Sequence, residues 1–178
     1  MNKLSGFTLV EMLITVALVA ILLTIGIPSF RYVTNSNRIA AEINGLLGDM
    51  QFARSEAVKE GQPVTVCVSA GGTACDGVNV NTWQNGWIVF SDANANAAVD
   101  AGDVILRVQK PFSSTDTFVA TNAVGAVTFN REGYANGIAN GTSIQLHDAA
   151  STHSWIRCLS VSLVGMMASQ TYNGGTCQ

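Results

Sequence analysis

Four sets of residues in this chain have types and spacing that could do chemistry. Glu11 is a carboxylate inside an otherwise apolar run, Phe7 to Ile27 (FTLVEMLITVALVAILLTIGI). Cys67, Cys75, Cys158 and Cys177 are its four thiols. Asp92, Asn94, Asn96, Asp100 and Asp103 set side-chain oxygens at positions one, three, five, nine and twelve of a loop, the order in which a calcium loop places ligands. His147 and His153 are the two histidines.

The acid makes the strongest demand. A carboxylate in the middle of a membrane span costs roughly 2.5–3.5 kcal/mol on insertion scales. Near a helix start the cost falls, because the positive end of the helix dipole faces it. Such a group calls for a cation. A cut after Gly6 would create a positive amine on Phe7, one helical turn before Glu11. That amine can pair with the Glu11 of a neighbouring subunit and guide its insertion.

The other sets are weaker. The calcium-like loop has Ala97 where the pattern wants glycine, and a short Asp103 as its last ligand. Its flanks read as strands, so the competing expectation is a polar hairpin loop held by Asx-turns. His147, Asp148 and Ser151 lie too close in sequence for a catalytic triad. No nucleophile elbow, P-loop or metal-ligand spacing accompanies either histidine. The chain reads as a non-enzyme with no cofactor.

The elements that position these residues follow from composition and pattern. Hydrophobic residues make up 48% of the 178 and charged residues 12%; the latter is about half the usual share for a soluble domain, roughly 25%. The net charge of -3 comes from scattered groups, and the lack of a Lys/Arg cluster argues against a nucleic-acid binder. Residues 7–27 suit a helix of ~30 Å, the thickness of a bilayer core. The short polar segment MNKLSG precedes them, and no small-residue cleavage pattern follows, so the apolar helix is expected to stay in the mature protein. Pro28, with Gly26 nearby, predicts a bend or local melting, since proline removes a donor and crowds the carbonyl of Thr24.

Residues 28–61 continue as an amphipathic helix. Ile39, Ile43, Leu46, Leu47, Met50, Ala53 and Ala57 fall on one stripe, and Gly61 ends it. Gly45 and Gly48 mark either close packing or looseness. Residues 62–178 read as a β-rich head. Its strands are expected at Pro63–Val68, Gly86–Phe90, Val104–Gln109, Ala126–Asn130, Ser143–His147 and Trp155–Val164. Turn signals stand at Asn85-Gly86, Asn136-Gly137, Asn140-Gly141 and Asn173-Gly174. The fold class is α+β, a long N-terminal helix on an antiparallel sheet. All four cysteines follow the apolar run, on a side of the membrane open to oxidation, which predicts two disulfides. Three pairings are possible, and the local one, Cys67–Cys75 with Cys158–Cys177, is favoured.

The run Gly6-Phe7-Thr8-Leu9-Val10-Glu11, behind a short basic leader and before an apolar helix, closely resembles the processing signal of type IV prepilins and pseudopilins. The resemblance implies cleavage between Gly6 and Phe7 by a prepilin peptidase, which makes residues 1–6 a leader. It also implies N-methylation of Phe7, an assembly role for Glu11 and a helix-kinking role for Pro28.

The head resembles the GspH/FimT family of minor pilins and pseudopilins. The likeness runs through Val64-Thr-Val-Cys67, Trp83-Gln-Asn-Gly-Trp87-Ile-Val-Phe90, Asp103-Val-Ile-Leu106-Arg107, Val127-Thr-Phe129-Asn130-Arg-Glu-Gly133 and Arg157-Cys158-Leu159. It implies a structural subunit of an initiating or tip complex in type IV pilus assembly. The partners would be other pilins, with the helix anchored in the bacterial inner membrane and the head in the periplasm before assembly. The equivalent pseudopilin of a type II secretion system is the alternative. Some FimT-type proteins bind DNA through Gly-Arg-x-Arg. The matching place here is Gly165-Met166-Met167-Ala168, without either arginine, so phosphate contacts are missing. Met166 and Met167 are expected to fill a core gap.

Overall fold

The computed structural model describes residues 7–138, 142–148, 155–173 and 176–177. Two compact units divide the chain, Met1–Asn37 and Arg38–Gln178.

One helix, α1, spans Leu9–Glu60. Residues 7–34 are exposed throughout, and an 18-residue window of this helix is long and apolar enough to cross a membrane. The helix is unbroken at Pro28. The expected melting at this position is absent, because proline deletes a single ladder bond and the helix on either side keeps its own. From Ile39 onward the sequence stripe becomes a buried face: Ile39, Ile43, Leu46, Met50, Ala53 and Ala57 are all at most 1% exposed. Gly61 ends the helix at φ +69, and its N–H bonds the carbonyl of Ala57. A Cβ on Gly45 or Gly48 would meet nothing within 4 Å, so neither glycine serves close packing inside this chain.

The head holds two antiparallel sheets where the sequence reading expected one. The first has the order β3-β2-β1-β5-β6. Its strands are β1 (Val64–Val68), β2 (Trp87–Ser91), β3 (Ile105–Gln109), β5 (Ala126–Phe129) and β6 (Ala135–Asn136). The second runs β10-β9-β8-β7-β4, built from β4 (Thr117–Ala120), β7 (Thr142–His147), β8 (Arg157–Val161), β9 (Met167–Asn173) and β10 (Thr176–Cys177). The expected strand Trp155–Val164 ends at Val161, and a turn at Leu163–Gly165 starts β9. Asn85-Gly86 closes a 3-10 turn (Trp83–Asn85) rather than a hairpin. Asn140-Gly141 lies outside the described residues.

One core joins helix and sheets. It contains the α1 stripe, Val64, Val66 and Val68 of β1, Trp87 and Val89 of β2, Phe118 of β4, Ile144 and Leu146 of β7, and Leu159 and Val161 of β8. Alternation along β1 explains the second, smaller cluster on the far face of the first sheet. There Cys67, Ile88, Phe90 and Ala126 pack against Cys75, Ala97, Val99 and Ile105. The loop between β2 and β3 therefore lies over this face as a cover.

Candidate assembly, modification and binding sites

The N-terminal site is built by a helix cap. Thr8 Oγ1 accepts the backbone N–H of Glu11 at 3.2 Å, and Met12 N–H bonds Thr8 carbonyl oxygen at 3.2 Å. Thr8 is thus the N-cap, and Glu11 stands three residues on, the spacing of a capping box. The Thr-x-x-Glu pattern was readable in the sequence but was absorbed into the processing signal. It fixes where the helix starts and holds the acid in its first turn, where the dipole favours negative charge. Among the described residues, the Glu11 carboxylate has no partner. Phe7 is 74% exposed; Gly6 lies outside the described residues.

Both disulfides join neighbours in sequence. Cys67 and Cys75 are bonded at 2.02 Å with Cα atoms 5.6 Å apart. Cys158 and Cys177 are bonded at 2.04 Å with Cα atoms 5.8 Å apart. The first ties β1 to its following loop. The second holds the β10 end against β8.

In the candidate calcium loop, Asp92 is fully buried and its oxygens are engaged. Oδ2 accepts Thr65 Oγ1–H at 2.6 Å and Ala97 N–H at 2.9 Å, and Oδ1 accepts Asn96 N–H at 3.1 Å. Asp100 Oδ2 accepts the amides of Asn94 and Asn96 at 3.0 and 2.6 Å, and Asp103 Oδ2 accepts Asp100 N–H at 2.8 Å. Asp100 is held below the usual carboxylate range by the Asn94 and then the Asn96 hydrogen bond. Ala97 takes φ +58 and packs on the small cluster. Asn94 Oδ1 accepts Asn96 N–H at 3.2 Å and Asn96 Oδ1 accepts Ala98 N–H at 2.9 Å, which is the Asx-turn pattern. Among the described residues, no group of three or more His, Cys, Asp or Glu side chains is placed to hold a metal.

Gly165 sits at φ +74, and an added Cβ would run into the Gly133 carbonyl oxygen. Arg54 of α1 donates from Nε to that same oxygen at 3.0 Å. Glycine is therefore required here by the crossing of two turns over one arginine. Met167 packs partly against the main core, as expected. Met166 does not: it is 69% exposed, because the turn points it outward. His147 meets the Tyr172 ring edge-on, with centroids 6.5 Å apart. Ser151 and His153 lie outside the described residues.

Two polar sites escaped the sequence reading. Asp49 Oδ2 accepts the Trp87 indole N–H at 2.9 Å, while Oδ1 accepts Arg107 Nη1–H at 2.8 Å. The Arg107 guanidinium also lies 3.7 Å over the Phe52 ring. In the second, Arg38 grips Asp116, with Nη2–Oδ1 and Nε–Oδ2 both at 2.8 Å; the latter contact is an ion pair poorly aligned for a hydrogen bond. Glu42 stands one turn on, with Ser114 Oγ at 3.4 Å from Oε1 and with Oε2 buried and unpartnered. Burial first, and then the Asp116 charge, push Glu42 up to about 7. Sequence spacing gave no warning, because Asp116 and Ser114 come from a loop more than seventy positions away.

An N-capped apolar helix with an acid in its first turn, carrying a disulfide-bonded head of two antiparallel sheets, defines the type IV pilin class. Residues 1–27 match the prokaryotic N-terminal methylation motif. Residues 42–165 match the family described as type II transport protein GspH, and the chain belongs to that family. The fold is also that of the type IV minor pilin FimU of Pseudomonas aeruginosa strain PAO1, seen in two crystal forms. One form is 21% identical with a TM-score of 0.57, covering 78% of this chain and 90% of that one. The other is 22% identical with a TM-score of 0.56, covering 75% and 91%.

Proposed function

We propose that the chain is a minor pilin, a structural subunit that helps start or cap a type IV pilus and performs no catalysis. The observation that carries this reading is Glu11, capped into the first helical turn by Thr8 and without a partner among the described residues. Cleavage between Gly6 and Phe7 by a prepilin peptidase frees a terminal amine, which is then methylated. The amine is the cation that Glu11 of an adjacent subunit lacks. Before assembly, residues 7–27 hold the protein in the inner membrane with the head on the periplasmic side; afterwards the helix lies in the filament.

The test is incorporation. Glu11→Val is expected to enter the membrane and lose its leader, yet to be missing from sheared filaments. Normal incorporation of that variant would refute the pairing.

The family match at residues 42–165 favours a second reading, a pseudopilin of a type II secretion system. Deletion of the gene separates the two, by loss of surface pili or by loss of a secreted enzyme. A DNA-receptor role has little support, since Met166 is the exposed residue where a phosphate-binding arginine would stand.

A further inference from the structure

Residues 110–116 join β3 of the first sheet to β4 of the second and lie against α1 as a strap. Inward and outward positions alternate along it: Phe112, Ser114 and Asp116 are half-buried or buried, while Pro111, Ser113 and Thr115 are exposed. Phe112 is its large apolar anchor, edge-on to Trp87 and stacked on Phe118 with centroids 5.8 and 6.1 Å away. The Phe112 N–H bonds the Gln84 carbonyl oxygen at 3.0 Å. Beyond Phe112 the hold on α1 is polar: Asp116, its side chain fully buried, meets Arg38, and Ser114 meets Glu42. A segment with so little buried apolar surface opens locally before the core does.

At this contact one guanidinium serves two carboxyl groups. Arg38 and Glu42 stand one turn apart on α1, and Asp116 comes from the strap. Glu42 Oε2 and Asp116 Oδ2 are both buried without a hydrogen bond. Two bare acceptors cannot bond each other, whereas a proton on Glu42 makes it a donor to Asp116. Among the described residues, the charged groups acting on Glu42 are Asp116 and Arg38. The remaining elements face it with neutral side chains: Trp87 of β2, Gln109 of β3 and Phe112 of the strap. Burial and the Asp116 charge both favour the protonated acid.

We propose that a proton shared by Glu42 and Asp116 latches residues 110–116 onto α1, and that its loss loosens this strap while the rest of the head stays folded. On ionisation the proton passes to water and Glu42 competes with Asp116 for Arg38. Asp116 is then a buried charge without its full partner, which is costly. Moving the strap outward hydrates Asp116 and draws Phe112 off Trp87. Glu42 holds its proton more tightly in the closed state, so the latch is complete below its ordinary value of 4.5 and released as pH rises to about 7. Acid closes the strap, and neutral or alkaline pH loosens it.

The experiment is hydrogen–deuterium exchange of the full chain in detergent from pH 5 to pH 8, read by mass spectrometry and corrected for the intrinsic effect of pH on exchange. Peptides spanning residues 110–118 should lose about tenfold in protection across that range, over times at which the β1 peptide remains unexchanged. Glu42→Gln, whose amide donates to Asp116 at every pH, should hold the strap equally throughout. Constant protection of the wild-type strap, exchange of strap and β1 together, or the same pH-dependent loss in folded Glu42→Gln overturns the latch. If Glu42→Gln does not fold, the wild-type profile decides. Its fall must lie between pH 5 and about 7 and level off above, and a fall at any other pH overturns the latch.

Discussion

Asp49 and Trp87 are joined by a hydrogen bond of 2.9 Å from the indole N–H to Oδ2, which pins the second half of α1 to β2, an interior strand of the first sheet. Trp87 is 1% exposed, so its N–H has no route to water. Asp49→Ala removes the acceptor and leaves a buried donor unsatisfied, at a cost of about 1–3 kcal/mol. The half-exposed Arg107 pair adds at most about 1 kcal/mol. Thermal melting of the full chain in detergent checks this; an unchanged midpoint would remove the clamp from the account.

Glu42 makes the stability of the head depend on pH. Its folded pKa, raised to about 7, lies above its ordinary value of 4.5, so the folded state holds the proton more tightly. The resulting stabilisation is complete below about pH 4.5 and drains away as pH rises to about 7. Glu42→Gln cannot ionise and should flatten that slope, leaving the variant about 1–2 kcal/mol more stable than wild type at pH 8 after allowance for partial exposure. Denaturant melts at pH 5 and pH 8 measure it. Parallel pH dependence in the two proteins would contradict the assignment.

The disulfides should contribute unequally. The Cys158–Cys177 bridge closes a separation of 19 and Cys67–Cys75 one of 8. Chain entropy assigns about 3 kcal/mol to the longer loop and slightly less to the shorter. Reduction should lower the melting midpoint, and the pair Cys158→Ser with Cys177→Ser should cost more than Cys67→Ser with Cys75→Ser. Four thiols labelled in the unreduced native protein would end this reading.

Calcium should produce no heat and no rise in melting midpoint. Asp92, the first ligand of the supposed loop, spends its oxygens on Thr65, Asn96 and Ala97. Stabilisation by millimolar calcium, reversed by a chelator, would restore the metal reading.

The sequence revealed what periodicity and length encode. The α1 stripe from Ile39 to Ala57 and the largely apolar strands β1, β2 and β5 carry strong patterns, and each burial follows from them. Strand β9, reading MASQTYN, carries none, because its outer edge and much of its surface face water. Strand β4 (TFVA) offers only Phe118 and Ala120 to the core, between polar runs that read as loop. The division into two sheets also escaped notice, since it depends on which strands meet across long loops. At the candidate sites, Glu11 was legible because an acid in an apolar run is conspicuous. Asp49, Glu42 and Asp116 were not, because a charged residue on an amphipathic helix or in a loop reads as solvated until the fold supplies its partner.

The proposed pairing requires this polypeptide to be shortened after Gly6, so that Phe7 presents an amine to the Glu11 of an adjacent subunit. Mass spectrometry of the chain isolated from host membranes tests it most directly. The account predicts a first residue of N-methylated Phe7, with the Glu11→Val variant processed in the same way. A native chain that still carries Met1 to Gly6 would contradict it.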